Sequence, residues 1–255
     1  MGEGFFDLTG KVAIITGSSR GIGRGIAERM AEQGAKVVIS SRKAPACEEV
    51  AAAINAKTPG RAAAIPASLS SKVDLERLVE ETRNTFGAID IPVCNAATSA
   101  YFGPSLGISD EAFRKMLDNN IMANHWLIQL VAPDMQARKD GAIILISSVG
   151  GMRGSDILGA YSITKAADMQ MARNYARELG PSNIRVNTIA PGIIRTDFAA
   201  AFFSDPASIK RMVQNCPLRR VGEADDIAGV AVFLASKAGA YTTGQTIVVD
   251  GGGSA

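Results

Sequence analysis

Val12-Ala13-Ile14-Ile15-Thr16-Gly17-Ser18-Ser19-Arg20-Gly21-Ile22-Gly23 is the stretch from which the fold can be read. An apolar, β-branched run ends at a glycine cluster, and the residues that follow carry helical periodicity as far as Gln33. An unbroken apolar strand belongs inside a parallel sheet, covered on both faces. Glycines at its end let the backbone turn sharply into a helix, and let an anion approach the N–H groups of the first turn. The spacing is GxxxGxG, not GxGxxG. Gly17, Ser19, Arg20, Gly21, Ile22 and Gly23 are therefore candidates to cradle a dinucleotide pyrophosphate. A plain tight turn is the alternative that this stretch alone leaves open.

The alternation continues outward in both directions. Strands are expected over Val12–Thr16, Lys36–Ser40, Ala62–Ala67, Ile89–Cys94, Ala142–Ser147, Ile184–Ile189 and Gln245–Val249. Helices are expected over Ile22–Gln33, Lys72–Phe86, Asp110–Met135, Tyr161–Leu179 and Asp225–Ala235. Short β-branched runs separated by helical stretches specify an α/β chain. The expectation is a single-domain Rossmann-type doubly wound parallel sheet of about seven strands over 1–255, with helices on both faces. No repeat or linker divides the 255 residues, a length that one core can serve. Only 195–220 breaks the pattern. Phe198, Phe202, Phe203, Asp205, Pro206 and Pro217 make it a candidate substrate lid.

Two further patterns carry chemistry. About twenty residues after the glycine loop, where an acid would bind the adenosine ribose, the second strand ends Ser40-Ser41-Arg42-Lys43. Arg42, with Arg20 and the Ser41 hydroxyl, suits a 2′-phosphate, because guanidinium groups bind phosphate through charge-assisted hydrogen bonds. That favours NADP(H) over NAD(H); a solvated turn is the alternative. In Tyr161-Ser162-Ile163-Thr164-Lys165 the phenol and ammonium lie four residues apart, one turn apart on one helix face. A nearby cation pulls a tyrosine down from its ordinary pKa of about 10, so that Lys165 together with an oxidised nicotinamide fits it to exchange a proton. Alone, the pair arises by chance about one time in six in a chain of this composition.

The remaining composition narrows the function classes. Lys and Arg total 27 against 25 Asp and Glu, a formal charge of +2, with no field suited to nucleic acid or an anionic membrane. Cys47, Cys94 and Cys216 are odd in number and form no CxxC pair, which argues against a disulfide framework or zinc site and suits a reducing cytoplasm. No signal peptide is expected at the N-terminus, and no run approaches a membrane span of about 18 apolar residues.

Several of these motifs in order, Thr16 to Gly23, Asn95-Ala96-Ala97, Asn120, Ser148, Tyr161/Lys165, Pro191-Gly192 and Val249-Asp250-Gly251-Gly252, make the chain resemble the short-chain dehydrogenase/reductase family over essentially its whole length. The resemblance implies that Ser148 polarises a substrate carbonyl, that Tyr161 handles the proton, and that Lys165 tunes the phenol and binds the nicotinamide ribose. It implies that Asn120 holds a water in a proton relay to Lys165, with Asn119 as the rival by one residue of register. Asn95 and Ala96 would shape the cofactor pocket, Ser68 and Leu69 the adenine end, and Pro191, Gly192, Ile194 and Thr196 the nicotinamide end. Ser68 stands where the family usually has aspartate, Cys94 where asparagine is common, and Ala97 where glycine is usual. The expected reaction is hydride transfer between NADP(H) and a small carbonyl or alcohol, without metal. A 3-oxoacyl-thioester reductase, with Arg195, Arg219 and Arg220 as candidates for a basic pocket mouth, is the second reading, and a catalytically silent NADP(H) binder is the third. The resemblance also implies a homotetramer.

Other residues invite plainer readings. His125 lies well inside a helix and reads as a packing or interface residue. Asp110, Glu111, Asp225 and Asp226 sit at helix starts, where they favour the positive end of the dipole. Arg153, close after Ser148, is open between substrate contact and ordinary surface residue.

Overall fold

The computed structural model describes residues 4–196, 210 and 213–255. Seven parallel strands form one sheet in the order β3-β2-β1-β4-β5-β6-β7: β1 (Val12–Thr16), β2 (Lys36–Ser40), β3 (Ala62–Ala64), β4 (Ile91–Cys94), β5 (Gly141–Ile146), β6 (Ile184–Pro191) and β7 (Thr246–Val249). The third strand is shorter than its apolar run suggests, although the Ile65 and Ala67 N–H groups still donate to the Ile39 and Ser41 carbonyls beyond its end. The other strand ends differ from expectation by at most two residues.

Period-two alternation splits the core into two layers. Ala13, Ile15, Val37 and Ile39 pack on one face under α1 (Gly21–Glu32), α2 (Ala44–Lys57) and residues of Ala224–Ala235. Ile14 and Val38 face the opposite side, under α3 (Lys72–Phe86) and the two long helices that follow it. The helix α2 was not among the expected elements. Pro45 in its first turn and its run of alanines are the available signals, but the alanines spread around the helix and blur the 3.6 period.

The expected Asp110–Met135 helix is one continuous rod with a local change of winding. Helix α4 (Asp110–Leu117) passes through a π-helical turn at Asp118–Met122 into α5 (Ala123–Arg138). Such a turn inserts one residue and redirects the side chains near it. It leaves Asn119 and Asn120 buried. Helix α6 (Gly159–Leu179) runs alongside, and α7 (Ala224–Ala235) packs on α1 closely enough that a Cβ on Gly25 would lie 3.0 Å from the Ala224 methyl. Of the expected lid, 197–209 and 211–212 lie outside the described residues, Phe198, Phe202, Phe203, Asp205, Pro206 and Met212 among them.

Candidate active site

A cleft of about 1640 Å³ opens at the carboxyl ends of β1, β4, β5 and β6, where the strand order reverses between β1 and β4. The loop after β1 forms its floor. Gly17 and Gly21 have φ of 67° and 56°, a region that disfavours a side chain. Gly23 is helical, but a Cβ there would come within 2.6 Å of the Gly17 carbonyl oxygen. Ser18 Oγ donates to the Ile15 carbonyl (2.6 Å) and accepts from Ser40 N–H (2.9 Å), stapling the loop to β2. Asn95 Nδ2 donates to the carbonyls of Thr16 (2.7 Å) and Gly17 (3.2 Å), locking it to β4.

The N-terminus of α1 meets this cleft without a side-chain cap from Arg20. The first-turn N–H groups of a helix have no intrahelical acceptor, so an uncapped N-terminus at a cleft fits a pyrophosphate. Arg42 and Lys43 are exposed at one end, beside Ser41. Ser68, Leu69, Ala96, Pro191, Gly192, Ile194 and Thr196 line the same cavity. The residues present therefore fit a nicotinamide dinucleotide.

At the other end Ser148, Tyr161 and Lys165 line the wall. Ser148 follows β5 and its Oγ accepts from Gly150 N–H (3.0 Å), which orients the hydroxyl. The Ser148 hydroxyl also acts on the Tyr161 phenol, in the direction that lowers its pKa. Lys165 Nζ lies 5.8 Å from the Tyr161 ring centroid. Burial raises the Tyr161 phenol above its ordinary value; Lys165 pulls it down, and Asp168 opposes that pull. In the protein alone desolvation disfavours phenolate more than one half-neutralised cation favours it, so the expected lowering falls to Lys165 and an oxidised nicotinamide together.

Lys165 is 1 % exposed and Asp168 0 %. Nζ donates to the Ile146 carbonyl (2.8 Å) and to Asp168 Oδ2 (2.9 Å). Asp168 Oδ1 accepts from Asn124 Nδ2 (3.0 Å), which also donates to the Asn120 carbonyl (2.8 Å). Burial works against the Lys165 charge, yet Asp168 and Tyr161 together hold the ammonium above its usual value. Burial raises the Asp168 carboxyl, against the pull of Lys165 and Asn124. Neither Asp168 nor Asn124 was among the expected site residues. The i,i+3 spacing of Lys165 and Asp168 is a sequence signal; their shared burial is not.

Asn120 does not line the cleft, whereas Asn119 does. Its side chain sits behind the wall, donating to Thr98 O (2.9 Å) and Thr164 Oγ1 (3.0 Å) and accepting from Thr98 N–H (2.8 Å). Arg153 is exposed on the cleft. His125 Nδ1 and the Tyr175 hydroxyl are 2.5 Å apart, bridging α5 and α6 away from the cleft. No helix among the described residues is long and apolar enough to cross a membrane.

Comparison with known proteins agrees with this architecture. The sequence profile of the family described as Enoyl-(Acyl carrier protein) reductase matches residues 17–254. Dehydrogenase/reductase SDR family member 4 of Oryctolagus cuniculus is 38% identical over 245 residues, 96% of this chain and 94% of the relative. A 7α-hydroxysteroid dehydrogenase, solved with NADH and 7-oxo glycochenodeoxycholic acid, superposes with a TM-score of 0.93 at 37% identity, covering 97% of this chain and 96% of its own. A 3-oxoacyl (acyl-carrier-protein) reductase from Agrobacterium tumefaciens, with NADP bound, has a TM-score of 0.92 at 32% identity and covers 99% and 97%.

Proposed function

This chain belongs to the short-chain dehydrogenase/reductase family, and we propose that it interconverts a small carbonyl compound and its alcohol with NADP(H), using Tyr161 as the proton donor and acceptor. As a member it acts on CH–OH or C=O groups with a nicotinamide cofactor. The observation that carries the finer reading is that Ser148, Tyr161 and Lys165 share one cleft with the uncapped start of α1.

When bound, the cofactor supplies or receives a hydride at the carbonyl carbon. In reduction the Tyr161 hydroxyl gives its proton to the substrate oxygen, so that hydride and proton together make the alcohol; in oxidation the phenolate takes that proton back. Ser148 hydrogen-bonds the same oxygen and holds it beside the phenol. Lys165 stabilises the phenolate and binds the ribose. Gly17, Ser19, Arg20, Gly21, Ile22 and Gly23 hold the pyrophosphate. Asn95 and Ala96 form the wall, Ser68 and Leu69 the adenine end, and Pro191, Gly192, Ile194 and Thr196 the nicotinamide end. Asn120 holds a water in the proton relay to Lys165, and Arg42 with Ser41 supplies the preference for a 2′-phosphate.

A basic mouth for a carrier-protein phosphate is weakly supported. Arg195 is paired with Glu223 (3.1 Å) and Arg220 with Asp226 (2.6 Å), which cancels much of the local charge. This favours the small-molecule reading over a 3-oxoacyl-thioester reductase. Three free cysteines suit a reducing compartment, and the cytoplasm is our assignment, with a homotetramer as the assembly.

The test is oxidation of NADPH and NADH against aldehydes, ketones, diketones and an acetoacetyl thioester. Turnover of simple carbonyls with NADPH preferred, and a loss of about a hundredfold or more in Tyr161→Phe, is expected. Thioester-only turnover, NADH preference, or an active Tyr161→Phe variant would each overturn the corresponding part.

A further inference from the structure

We propose that Asp168 is a positioning residue that keeps Lys165 charged in a dry pocket, through a buried side-chain bridge from Lys165 by way of Asp168 and Asn124 to the carbonyl of Asn120. The proposal rests on the acid–base reading of Tyr161 and deepens it.

The ammonium is held on two sides and faces the cleft on the third. An ammonium has three donors, and two of those of Lys165 are taken by the Ile146 carbonyl and Asp168 Oδ2, at 2.8 and 2.9 Å. The third is left for the cleft, which Lys165 lines. The carboxylate is fixed in turn from α5, where Asn124 Nδ2 reaches Asp168 Oδ1 at 3.0 Å and the Asn120 carbonyl at 2.8 Å. That carbonyl belongs to the π-helical turn, so the unusual winding of the rod and the position of Lys165 are mechanically joined.

Among the described residues, the ionisable groups around the ammonium are few. Helix α6 supplies Tyr161 and Asp168. Strand β4 supplies Cys94, whose thiol is driven strongly upward by burial and stays neutral. Strand β5 supplies the Ile146 carbonyl, and α5 the uncharged Asn124. Asp168 is thus the carboxylate in contact with Lys165.

Two opposed effects of Asp168 on Tyr161 must be weighed. Directly, a second-neighbour negative charge disfavours phenolate. Indirectly, it preserves the adjacent cation, which favours phenolate. Full burial of a lysine depresses its proton affinity by up to about 3–5 pH units, enough to discharge it near neutrality. The indirect effect is therefore the larger, and removing the carboxylate should cost Tyr161 its cation.

The experiment is the pH profile of kcat for alcohol oxidation with saturating NADP⁺, in wild type, Asp168→Asn and Asn124→Leu, with folding checked by NADPH binding. In Asp168→Asn the acid limb should move up by about one pH unit or more, lowering the rate at least tenfold on that limb. Asn124→Leu, which leaves the carboxylate in place but removes its second donor, should move the limb in the same direction by less. If Asp168→Asn does not fold, Asn124→Leu decides alone: an upward shift supports the proposal and an unmoved limb overturns it. A uniform fall in kcat at every pH makes Asp168 merely structural, and a limb that moves down means that Lys165 holds its charge unaided. Either overturns the proposal. Tyr161→Phe run in parallel separates the two levels, since full activity there sinks the acid–base reading itself, whatever the Asp168 variant does.

Discussion

Replacing Gly23 with alanine isolates what the glycine loop requires. Gly23 lies in α1 with helical backbone, so on propensity alone the change should stabilise by about 1 kcal/mol. Its surroundings say otherwise. The new Cβ would sit 2.5 Å from Asn95 Nδ2 and 2.6 Å from the Gly17 carbonyl oxygen, and one of these partners is backbone. Relief must displace the Gly17 peptide or break the Asn95 hydrogen bonds to the Thr16 and Gly17 carbonyls. Overpacking costs about 1–3 kcal/mol and a lost hydrogen bond about 1 kcal/mol, so the net destabilisation should be about 2 kcal/mol. Gly229→Ala is the matched control. It lies in α7, exposed, with nothing within 4 Å of a new Cβ, and should stabilise by about 0.5–1 kcal/mol. Urea denaturation of both variants reads the stabilities, and NADPH fluorescence titration reads the loop. Only Gly23→Ala should weaken binding, by about tenfold or more, since a shifted Gly17 peptide misplaces the N–H groups offered to the pyrophosphate. Equal stabilisation of both variants with unchanged NADPH affinity would refute the close-approach argument.

At the start of α7, Asp226 accepts from Arg220 and from Glu223 N–H, and its carboxyl is lowered to about 2, first by the Arg220 hydrogen bond. Its folded pKa lies below the ordinary 3.8, so its contribution is present above that pH and is lost as pH falls towards about 2. The pair is at the surface and contributes about 0.5–1 kcal/mol. Asp226→Asn should lower Tm by about 2 °C at pH 7 in calorimetry, with the gap to wild type closing below pH 4; a gap that persists there would exclude the charge as the cause. Light scattering should give a mass near four times the 26.6 kDa chain, and a monomer at micromolar concentration would remove the tetramer assignment.

Much of this protein was legible as local pattern. The strand, glycine loop and helix from Val12 onward follow from apolar continuity and backbone freedom, and both are properties of adjacent residues. The Tyr161 and Lys165 side chains share a face because four residues make about one helical turn. Ser148 was less local, and its identification needed the resemblance, since only the fold brings the end of β5 beside α6. Asp168 and Asn124 stayed silent for the same reason. They lie 44 positions apart, and their hydrogen bond exists only because α5 packs on α6. The π turn at Asp118–Met122 is likewise invisible in composition, since the same residues are compatible with ordinary helical winding. The sequence by itself determined the alternation of strands and helices, α2 excepted, and the chemical groups offered to the cleft, because periodicity and i,i+4 spacing are short-range. Tertiary structure alone decided which of those groups are dry and paired, because burial and charge neutralisation depend on neighbours distant in the chain.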